Sequence, residues 1–587
     1  METRRFRWAK CQLDTLAQCL TRGKVRQALK QLPKTLDETY ERILRTIDEG
    51  QNADEAVKIL TWLTYSERPL TATEVLEVTG IVIDENPRFD EEGVLQDPND
   101  ILHVCSSLVS VITARSDSDL DSDDDSEDDS DDAADDGTVH SHTSSEGEYT
   151  YVRLAHFSVK EYLVSSRVSI AKYSLPFQMS HDKLAKCCLV YLLRFDGGQW
   201  QSPDCESEFP LARYAAKHWM QHARAAGKPS QQQQDLSMEL LTQDSAAFTT
   251  WLRFARIDFP EDSAPDIHRE LYDLPSPLYA ASLGDLTHIA SAMLNAGADV
   301  NDQGGNFENA LQVASLHGHE EIVQLLLNGG ADVNCMVKEG LCGNALQAAA
   351  SLGHENVVQL LLAAGADVNA QGGDYGNALQ AASNRGYENV VQLLLAAGAD
   401  VNAPSSRISA LYCASRGGFE KVVQLLFAAG ADVNVQGVRD NALIAASDKG
   451  HEKIVQLLLD AGATINGDTL YAAAYRGHET VVKLLLAAGA DVNAMGGNWE
   501  TALQGAATMG SMEIVQLLLT AGAEVDTTML QTASTLGYVE IVQLFLAAGA
   551  DVNAQGEQWR TALEPASMYG HQEIVQLLLA ARTNVDA

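Results

Sequence analysis

The stretch NALQAAASLGHENVVQLLLAAGADVN (344–369) carries the pattern that decides the fold of the C-terminal half of the chain. Leu346 and the alanines after it give a first helical segment a small apolar face. Gly353 ends that segment, because glycine adopts a left-handed backbone at the lowest cost. From Val357 onward, apolar residues recur at i, i+3, i+4 and i+7, as on one face of an amphipathic helix. The stretch therefore predicts two short helices followed by a turn.

The same pattern recurs down the rest of the chain at a nearly constant interval. Each copy has a leucine equivalent to Leu346, and these are Leu278, Leu311, Leu346, Leu379, Leu411, Leu443, Leu470, Leu503, Leu530 and Leu563. Their successive separations are 33, 35, 33, 32, 32, 27, 33, 27 and 33 residues. This period is typical of ankyrin repeats, which bury their apolar faces against their neighbours. We predict a mainly α protein with an ankyrin-repeat solenoid of about ten units over 276–587, whose projecting finger is lost at the two 27-residue intervals.

The negative charge of the chain disfavours one class of partner, nucleic acid. The net charge of the 587 residues is −40, and Asp117–Asp136 holds 13 acids and no base. The repeat array holds 32 acids and 12 bases, hence −20. Such a field repels phosphate backbones, so nucleic acid is a poor partner, including for a winged helix.

Targeting and redox patterns favour the cytoplasm, with the nucleus left open. The opening METRRFRWAK has no apolar core, and no run of 18 apolar residues occurs, which disfavours a signal peptide and a membrane span. The nine cysteines include no CxxC pair, as expected for reduced thiols.

The N-terminal half divides by pattern into three parts. Residues 1–50 are predicted to be helical, and 171–275 to form a helical connector with a Gln-rich loop at Gln231–Gln234. Residues 51–170 predict helices followed by a hairpin between 106–114 and 149–163, the order of a winged helix. Its low-complexity Asp/Ser insert, 116–148, cannot bury apolar area and should be disordered. Thr35 with Glu38, and Thr71 with Glu74, predict capping boxes at two helix starts.

Five stretches of this half resemble fungal NACHT-type STAND proteins, relatives of NLR immune receptors. They are FRWAKCQLDTL (6–16), LPKTLDETYERIL (32–44), TWLTYSERPLTATEVLEV (61–78), LAHFSVKEYL (154–163) and ARYAAKHWMQH (212–222). The resemblance implies that 1–50 is the end of a NACHT-like region. It also implies that the part around 54–165 is the winged helix named after GPI inositol-deacylase, a name that implies no catalysis. By resemblance, the chain is the C-terminal regulatory and sensor portion of a signalling receptor.

The nucleotide-binding motif of that family is missing. Its NTPase needs GxxxxGK[ST], which cradles phosphates and Mg²⁺. Gly23–Lys24 and Gly227–Lys228 lack both the following Ser or Thr and the earlier glycine. We therefore expect no enzyme activity and no cofactor, and a non-catalytic scaffold that binds protein partners. The alternative is a fragment of a larger NTPase or hydrolase whose catalytic domain lies upstream of Met1.

Histidines supply the candidate metal ligands. His218 and His222, at i and i+4 on a predicted helix, could face one ion. A packing and capping role beside Trp219 is favoured, because no third ligand is apparent. Gly-His pairs recur at one point of the repeat, which predicts a structural hydrogen bond between turns and not a metal string. These pairs end at His319, His354, His451, His478 and His571.

The acidic tract allows three interpretations. It is a solvated loop, a set of acidophilic-kinase sites, or an internal ligand of the repeat array. Ser116, Ser118, Ser122 and Ser126 each have an acid three residues on, and phosphates there would add charge.

The internal-ligand hypothesis rests on the bases of the array. Nine of the twelve fall between Arg385 and Lys483, alongside 10 acids. Four occupy equivalent positions at the end of a first helix, which in an ankyrin fold lines the concave groove: Arg385, Arg416, Lys449 and Arg476. Such a stripe could bind an acidic partner, or residues 117–136 of the same chain. Pairing with neighbouring carboxylates is the alternative.

Aromatic residues recur near the base of the predicted fingers. Phe307, Tyr375, Trp499 and Trp559 each precede a framing leucine by four residues. Packing of finger on finger is favoured over ligand contact, but they are the best aromatic anchors for a partner that docks on the fingers.

Overall fold

The computed structural model describes residues 33–84, 88–114, 149–197, 208–242, 245–255, 275–304, 309–336, 342–403, 408–434, 441–497, 500–556 and 559–585. The chain forms two compact units, Met1–Ala310 and Leu311–Ala587. The predicted sites at Ser116, Ser118, Ser122, Ser126, Phe307 and Trp499, and the tract 117–136, lie outside the described residues.

The first unit is built from helices around a small antiparallel sheet. In chain order its elements before the repeats are α1 Leu36–Asp48, α2 Ala53–Tyr65, β1 Leu70–Thr71, α3 Ala72–Thr79, α4 Pro98–Cys105, β2 Val109–Ala114, β3 Tyr149–Leu154, α5 Phe157–Leu163, α6 Phe177–Leu193, α7 Ala212–Ala226, α8 Gln231–Leu240 and α9 Ala246–Ala255. Short 3₁₀ turns lie at Ser106–Leu108, Ala171–Tyr173 and Arg194–Gly197. The core includes three tryptophans with at most 1% of their surface exposed, Trp62, Trp219 and Trp251.

The predicted hairpin is present but shorter than expected. β2 pairs antiparallel with β3, from Val109 opposite Leu154 to Ala114 opposite Tyr149, and β1 adds a third strand on the other side of β3. The expectation of a strand through to residue 163 was wrong, because 157–163 is helix α5. The His156 side chain accepts a hydrogen bond from the amide of Ser158 and caps this helix, which then buries Val159, Tyr162 and Leu163 on one face.

One of the two predicted capping boxes is complete in the structure and the other is partial. A third helix begins where the sequence predicted a loop. Thr71 and Glu74 form the full predicted capping box at α3. At α1 Thr35 accepts from the Glu38 amide, but the Glu38 carboxylate accepts from the backbone N–H of Lys34 instead of that of Thr35. Gln231–Gln234 is the first turn of α8 and not a loop, because the Ser230 side chain caps that turn by accepting from the Gln233 amide.

The repeats consist of helix pairs. The first helices are Pro277–Leu283, Ala310–His317, Ala345–Leu352, Ala378–Arg385, Ala410–Gly417, Ala442–Lys449, Gly467–Tyr475, Ala502–Thr508, Thr527–Leu536 and Leu563–Met568. The second helices are Thr287–Asn295, Glu320–Asn328, Glu355–Ala363, Glu388–Ala396, Glu420–Ala428, Glu452–Asp460, Glu479–Ala487, Met512–Thr520, Val539–Ala547 and Gln572–Val585. From Ala345 onward each first helix packs on the next first helix, as a solenoid requires.

The opening helix pair of the repeats belongs to the first compact unit. The Arg224 guanidinium donates to the carbonyl of Gly284 at 3.1 Å, and α8 packs on Thr287–Asn295. The boundary between the units therefore falls at Ala310, one helix pair after the predicted start of the array.

The turn inside each repeat explains the recurring Gly-His pair. Gly353 has φ +78°, and a Cβ built there would lie 2.7 Å from the ring of Tyr387 in the next repeat. Histidine rings occupy the equivalent place in other repeats and donate to a backbone carbonyl of the preceding one. These bonds join His354 to Leu316 at 2.9 Å, His451 to Arg416 at 3.2 Å, His478 to Asp448 at 3.0 Å and His571 to Thr535 at 3.1 Å. The predicted structural role is confirmed for these four.

Connections between repeats fall into a longer and a shorter class, as the intervals predicted. Residues 364–377 join Ala363 to Ala378 and include a bridge between Gly372 and Gly376. The connections 461–466 and 521–526 run directly into the next first helix. Strands β4 Met495–Gly496 and β5 Glu500–Thr501 form the finger between these two short connections.

An asparagine ladder links consecutive connections between the repeats. The Asn334 amide accepts from the backbone N–H of Asp367 at 2.8 Å and donates to the Gly365 carbonyl at 3.2 Å. Asn369, Asn402 and Asn434 repeat the arrangement, the last one accepting from Thr464. Among the described residues the ladder resumes at Asn493 with Glu524.

Candidate functional site

Four cations at the ends of neighbouring first helices form the candidate site, and we call them the basic row. They are Arg385, Arg416, Lys449 and Arg476. Each is exposed to solvent. Because their helices pack side by side, the equivalent positions follow one another along the array.

One carboxylate serves two members of the row. The Asp448 side chain lies 2.8 Å from Nε of Arg476 and 3.2 Å from Nζ of Lys449. Burial alone would raise the pKa of Asp448, but the hydrogen bonds from Arg476 and Lys449 outweigh burial and hold the pKa below its usual value. Two cations on one anion leave a net positive charge. The pairing expected as the alternative is therefore present, but it is incomplete.

The other two members have no carboxylate partner among the described residues. The Arg385 guanidinium hydrogen-bonds to the side chain of Tyr375, and this bond raises the pKa of Arg385. The structure thus brings one predicted aromatic anchor to a predicted base. Arg416 contributes its carbonyl to His451, while its guanidinium contacts no acid in the described chain.

The remaining described bases of this region lie on second helices and are matched by acids. Nζ of Lys421 lies 3.3 Å from Glu388, Nζ of Lys453 lies 3.1 Å from Glu420, and Nζ of Lys483 lies 2.5 Å from Glu479. Excess positive charge among the described bases from Arg385 to Lys483 is therefore concentrated in the basic row.

An aromatic pair beside Arg476 escaped the sequence analysis. Tyr471 and Tyr475 stack with ring centroids 5.6 Å apart, and the Arg476 guanidinium carbon lies 5.8 Å from the Tyr475 ring. A Cβ on Gly467 would collide with the Met495 carbonyl, so the finger lies close against this helix. The Met495 side chain is 67% exposed. Tyrosines at i and i+4 on a first helix after a short connection were the available signal.

The other predicted residues lie apart from this group in the described chain. Trp559 is half-buried, and its carbonyl accepts from the Gln531 side chain at 3.2 Å. His218 and His222 turn to different partners, since Nδ1 of His218 contacts Gln221 at 2.6 Å while Nδ1 of His222 faces His181 at 2.9 Å. The i, i+4 pair is thus not a joint site.

In the described part of the chain, no helix is both long and apolar enough to cross a bilayer.

A curated protein of Monascus ruber, azaphilone pigments biosynthesis cluster protein L, is 36% identical to this chain over 299 residues. The match covers 48% of this chain and 57% of that protein, so the chain spans less than two thirds of the relative's length.

The family model described as ankyrin repeats (3 copies) matches residues 277–372, 346–437, 411–496, 470–556 and 503–587. These blocks overlap, so the expected number of ten repeats stays a prediction. Together they extend from 277 to 587, more than half of the 587 residues. The chain therefore belongs to the ankyrin-repeat family.

Proposed function

We propose that this chain is a non-catalytic protein-recognition scaffold that binds an acidic protein segment along the basic row. Ankyrin repeats suggest an interaction scaffold, and the charge balance of the row supports the finer statement. Asp448 is shared by Lys449 and Arg476, and Arg416 has no acid beside it in the described chain. A local positive patch within an array of net charge −20 concentrates anionic groups.

The stacked tyrosines extend the same surface with contacts of another kind. Tyr, Arg and Met are enriched at protein–protein interfaces, and Tyr and Arg are enriched among the residues that dominate binding energy. Tyr471, Tyr475, Arg476 and Met495 supply that composition at the end of the row. An acidic segment with an apolar or aromatic side chain at one end fits this combination. The acids would contact the cations, and the apolar side chain would pack beside Met495.

The experiment uses a labelled peptide of residues 117–136 as the acidic probe and the full chain as receptor, with fluorescence anisotropy as readout. We expect salt-sensitive binding that weakens about 5- to 30-fold in the double variant R416E/R476E, from roughly 1 kcal/mol at each exposed contact. The matched control K421E/K453E makes the same charge change on second helices and should bind within about twofold of the native chain. Equal loss in both variants, or none in either, would rule out the basic row.

The same assay addresses whether residues 117–136 occupy the row within the chain. Deleting 117–136 should then tighten binding of the added peptide, whereas unchanged affinity would leave an external acidic protein as the partner. Phosphorylating the peptide at Ser116, Ser118, Ser122 and Ser126, in a version extended to include Ser116, should tighten binding because each phosphate adds negative charge.

We propose a regulatory and sensor role in a STAND-type receptor as the wider setting. It is supported by the five matched stretches of the N-terminal half. The relative from Monascus ruber favours a second setting, a scaffold encoded with a biosynthetic cluster, since its printed name places that protein in one. In both, the chain acts in the cytoplasm or nucleus without catalysis. Release of phosphate from ATP or GTP by the purified full chain would contradict the absence of catalysis. An in-frame GxxxxGK[ST] motif in the genomic DNA 5′ of Met1 would support the alternative, a fragment of a larger NTPase.

A further inference from the structure

Three metal-ligating side chains converge in the first unit. Glu67 follows α2, His181 lies in α6 and His222 lies near the end of α7. One ligand atom from each lies within 4.8 Å of the others. His181 is 4% exposed and His222 is fully buried, while the Glu67 side chain is 39% exposed and opens the cluster to solvent.

The fold brings these residues together through packing that the sequence pattern could not reveal. Helices α6 and α7 pack along each other, which places His181 against His222 although 41 residues separate them. The backbone N–H of Glu67 donates to the Tyr214 hydroxyl at 3.0 Å, and that hydroxyl lies 2.9 Å from Nε2 of His222. Tyr214 therefore links the Glu67 connection to the ring of His222.

The orientation of the two imidazoles favours a shared cation. Nδ1 of His181 and Nδ1 of His222 face each other at 2.9 Å, so without an ion one ring must donate to the other. Burial lowers the pKa of both rings, which keeps their nitrogens available as neutral ligands. Oε1 of Glu67 lies 3.8 Å from Nδ1 of His222 and supplies negative charge. The positive charge of the exposed Lys160 amino group also lowers the pKa of His181.

We propose that Nδ1 of His181, Nδ1 of His222 and the carboxylate of Glu67 bind one Zn²⁺ ion, with a water as fourth ligand on the open side. Two histidines and a glutamate with one open position form a known zinc ligand set. Imidazole ligands favour Zn²⁺ over Mg²⁺ or Ca²⁺. With Zn–N distances of about 2.0–2.1 Å in a tetrahedron, the two nitrogens need to separate to roughly 3.3 Å, a few tenths more than at present.

The surroundings match those of a bound metal. The Tyr214 hydroxyl at Nε2 of His222 is an outer partner of the kind that orients a metal-bound imidazole. The rings of Phe177 and Tyr65, with centroids 4.3 Å and 5.0 Å from that of His181, wall off one side. The ion would tie the connection after α2 to α6 and α7, and so act as a clamp within the unit.

The test titrates the metal-stripped full chain with Co²⁺, followed by the visible absorption of tetrahedral cobalt, and then displaces it with Zn²⁺. We expect one equivalent bound at this site, at least tenfold weaker binding in E67Q, and about tenfold weaker binding in Y214F. The E67Q variant changes a partly exposed side chain and is expected to keep the fold, whereas H181N changes a buried side chain and could prevent folding. E67Q therefore tests the site even where H181N does not fold. H218Q, on the same helix but bonded to Gln221, should bind as the native chain does.

A second readout separates this site from adventitious binding by the other histidines. Zn²⁺ should slow amide exchange around Glu67 and α7 in the native chain and in H218Q, but not in E67Q. The proposal is overturned by the absence of the tetrahedral cobalt band in the native chain, or by unchanged affinity and exchange in E67Q.

Discussion

Gly353→Ala should destabilise its repeat more than Gly365→Ala, twelve residues away, although both glycines have a left-handed backbone. Their φ angles are +78° and +90°, so alanine costs roughly 1–2 kcal/mol of unfolding free energy at either position. At Gly353 the new methyl group would also lie 2.7 Å from the Tyr387 ring, which adds about 1–3 kcal/mol of overpacking. At Gly365 nothing lies within 4 Å. The two substitutions should therefore differ by about 1–3 kcal/mol.

Hydrogen exchange of the full chain measures this difference locally, since repeat arrays do not always unfold in one step. Opening free energies are compared in the helices Ala345–Leu352 and Ala378–Arg385 for the native chain and both variants. Values that agree within roughly 0.5 kcal/mol between the variants would show that backbone conformation alone selects glycine here. The inferred steric role of the next repeat's ring would then be wrong.

Three further predictions concern hydrogen bonds and thiols. His354→Phe keeps a ring of the kind that Phe419 places in an equivalent turn, but loses the bond to Leu316, so local opening should become easier by about 1 kcal/mol in hydrogen exchange. Glu74→Gln removes the charge that Arg68 contacts at 2.5 Å and weakens the cap of α3, and should lower the free energy of urea unfolding by about 1–3 kcal/mol, with no change if the pair is immaterial. Burial raises the pKa of the Cys105 and Cys188 thiols, so iodoacetamide at pH 8 should label the half-exposed Cys335 first, and mass spectrometry showing the reverse order would contradict their burial.

The fourth of these further predictions concerns how stability depends on pH through Asp448. The pKa of Asp448 is lowered in the folded chain, so its ionised form stabilises the fold above the unfolded value of 3.8 and this contribution is lost as pH falls through the folded pKa. Arg476→Gln removes one of the two hydrogen-bonding cations and should shift the loss to higher pH. Carboxylate NMR of the two proteins measures the shift, and identical titration curves would exclude the pairing.

The repeats could be predicted because their information is local. A leucine, a turn glycine and an apolar stripe recur within one period, and each acts on residues only a few positions away. The four confirmed histidine bonds were predictable for the same reason, since their regular spacing implied a regular partner. The short connections at 461–466 and 521–526 followed directly from the two 27-residue intervals.

Elements whose secondary structure or contacts depend on helix caps or on packing between distant residues were harder to predict from the sequence. Residues 157–163 contain enough β-branched and aromatic side chains to suggest a strand, and the His156 cap decides for a helix. Gln231–Gln234 has the composition of a loop, yet Ser230 starts a helix there. His181 and His222 carry no shared spacing, and only the packing of α6 on α7 brings them together.

The asparagine ladder should make the array unevenly resistant to force when it is pulled from its ends. From Asn334 to Thr464 each connection is tied to the next by paired amide bonds, and a further tie joins Asn493 to Glu524. Among the described residues, no such bond leads onward from either short connection, 461–466 or 521–526. A chain stretched between two beads should therefore yield first near the short connections, 461–466 and 521–526, while the segment from 334 to 464 stays folded as one block. In a cell, tension transmitted through a bound partner would therefore open the array first at these short connections, and contacts to the partner there would be lost first.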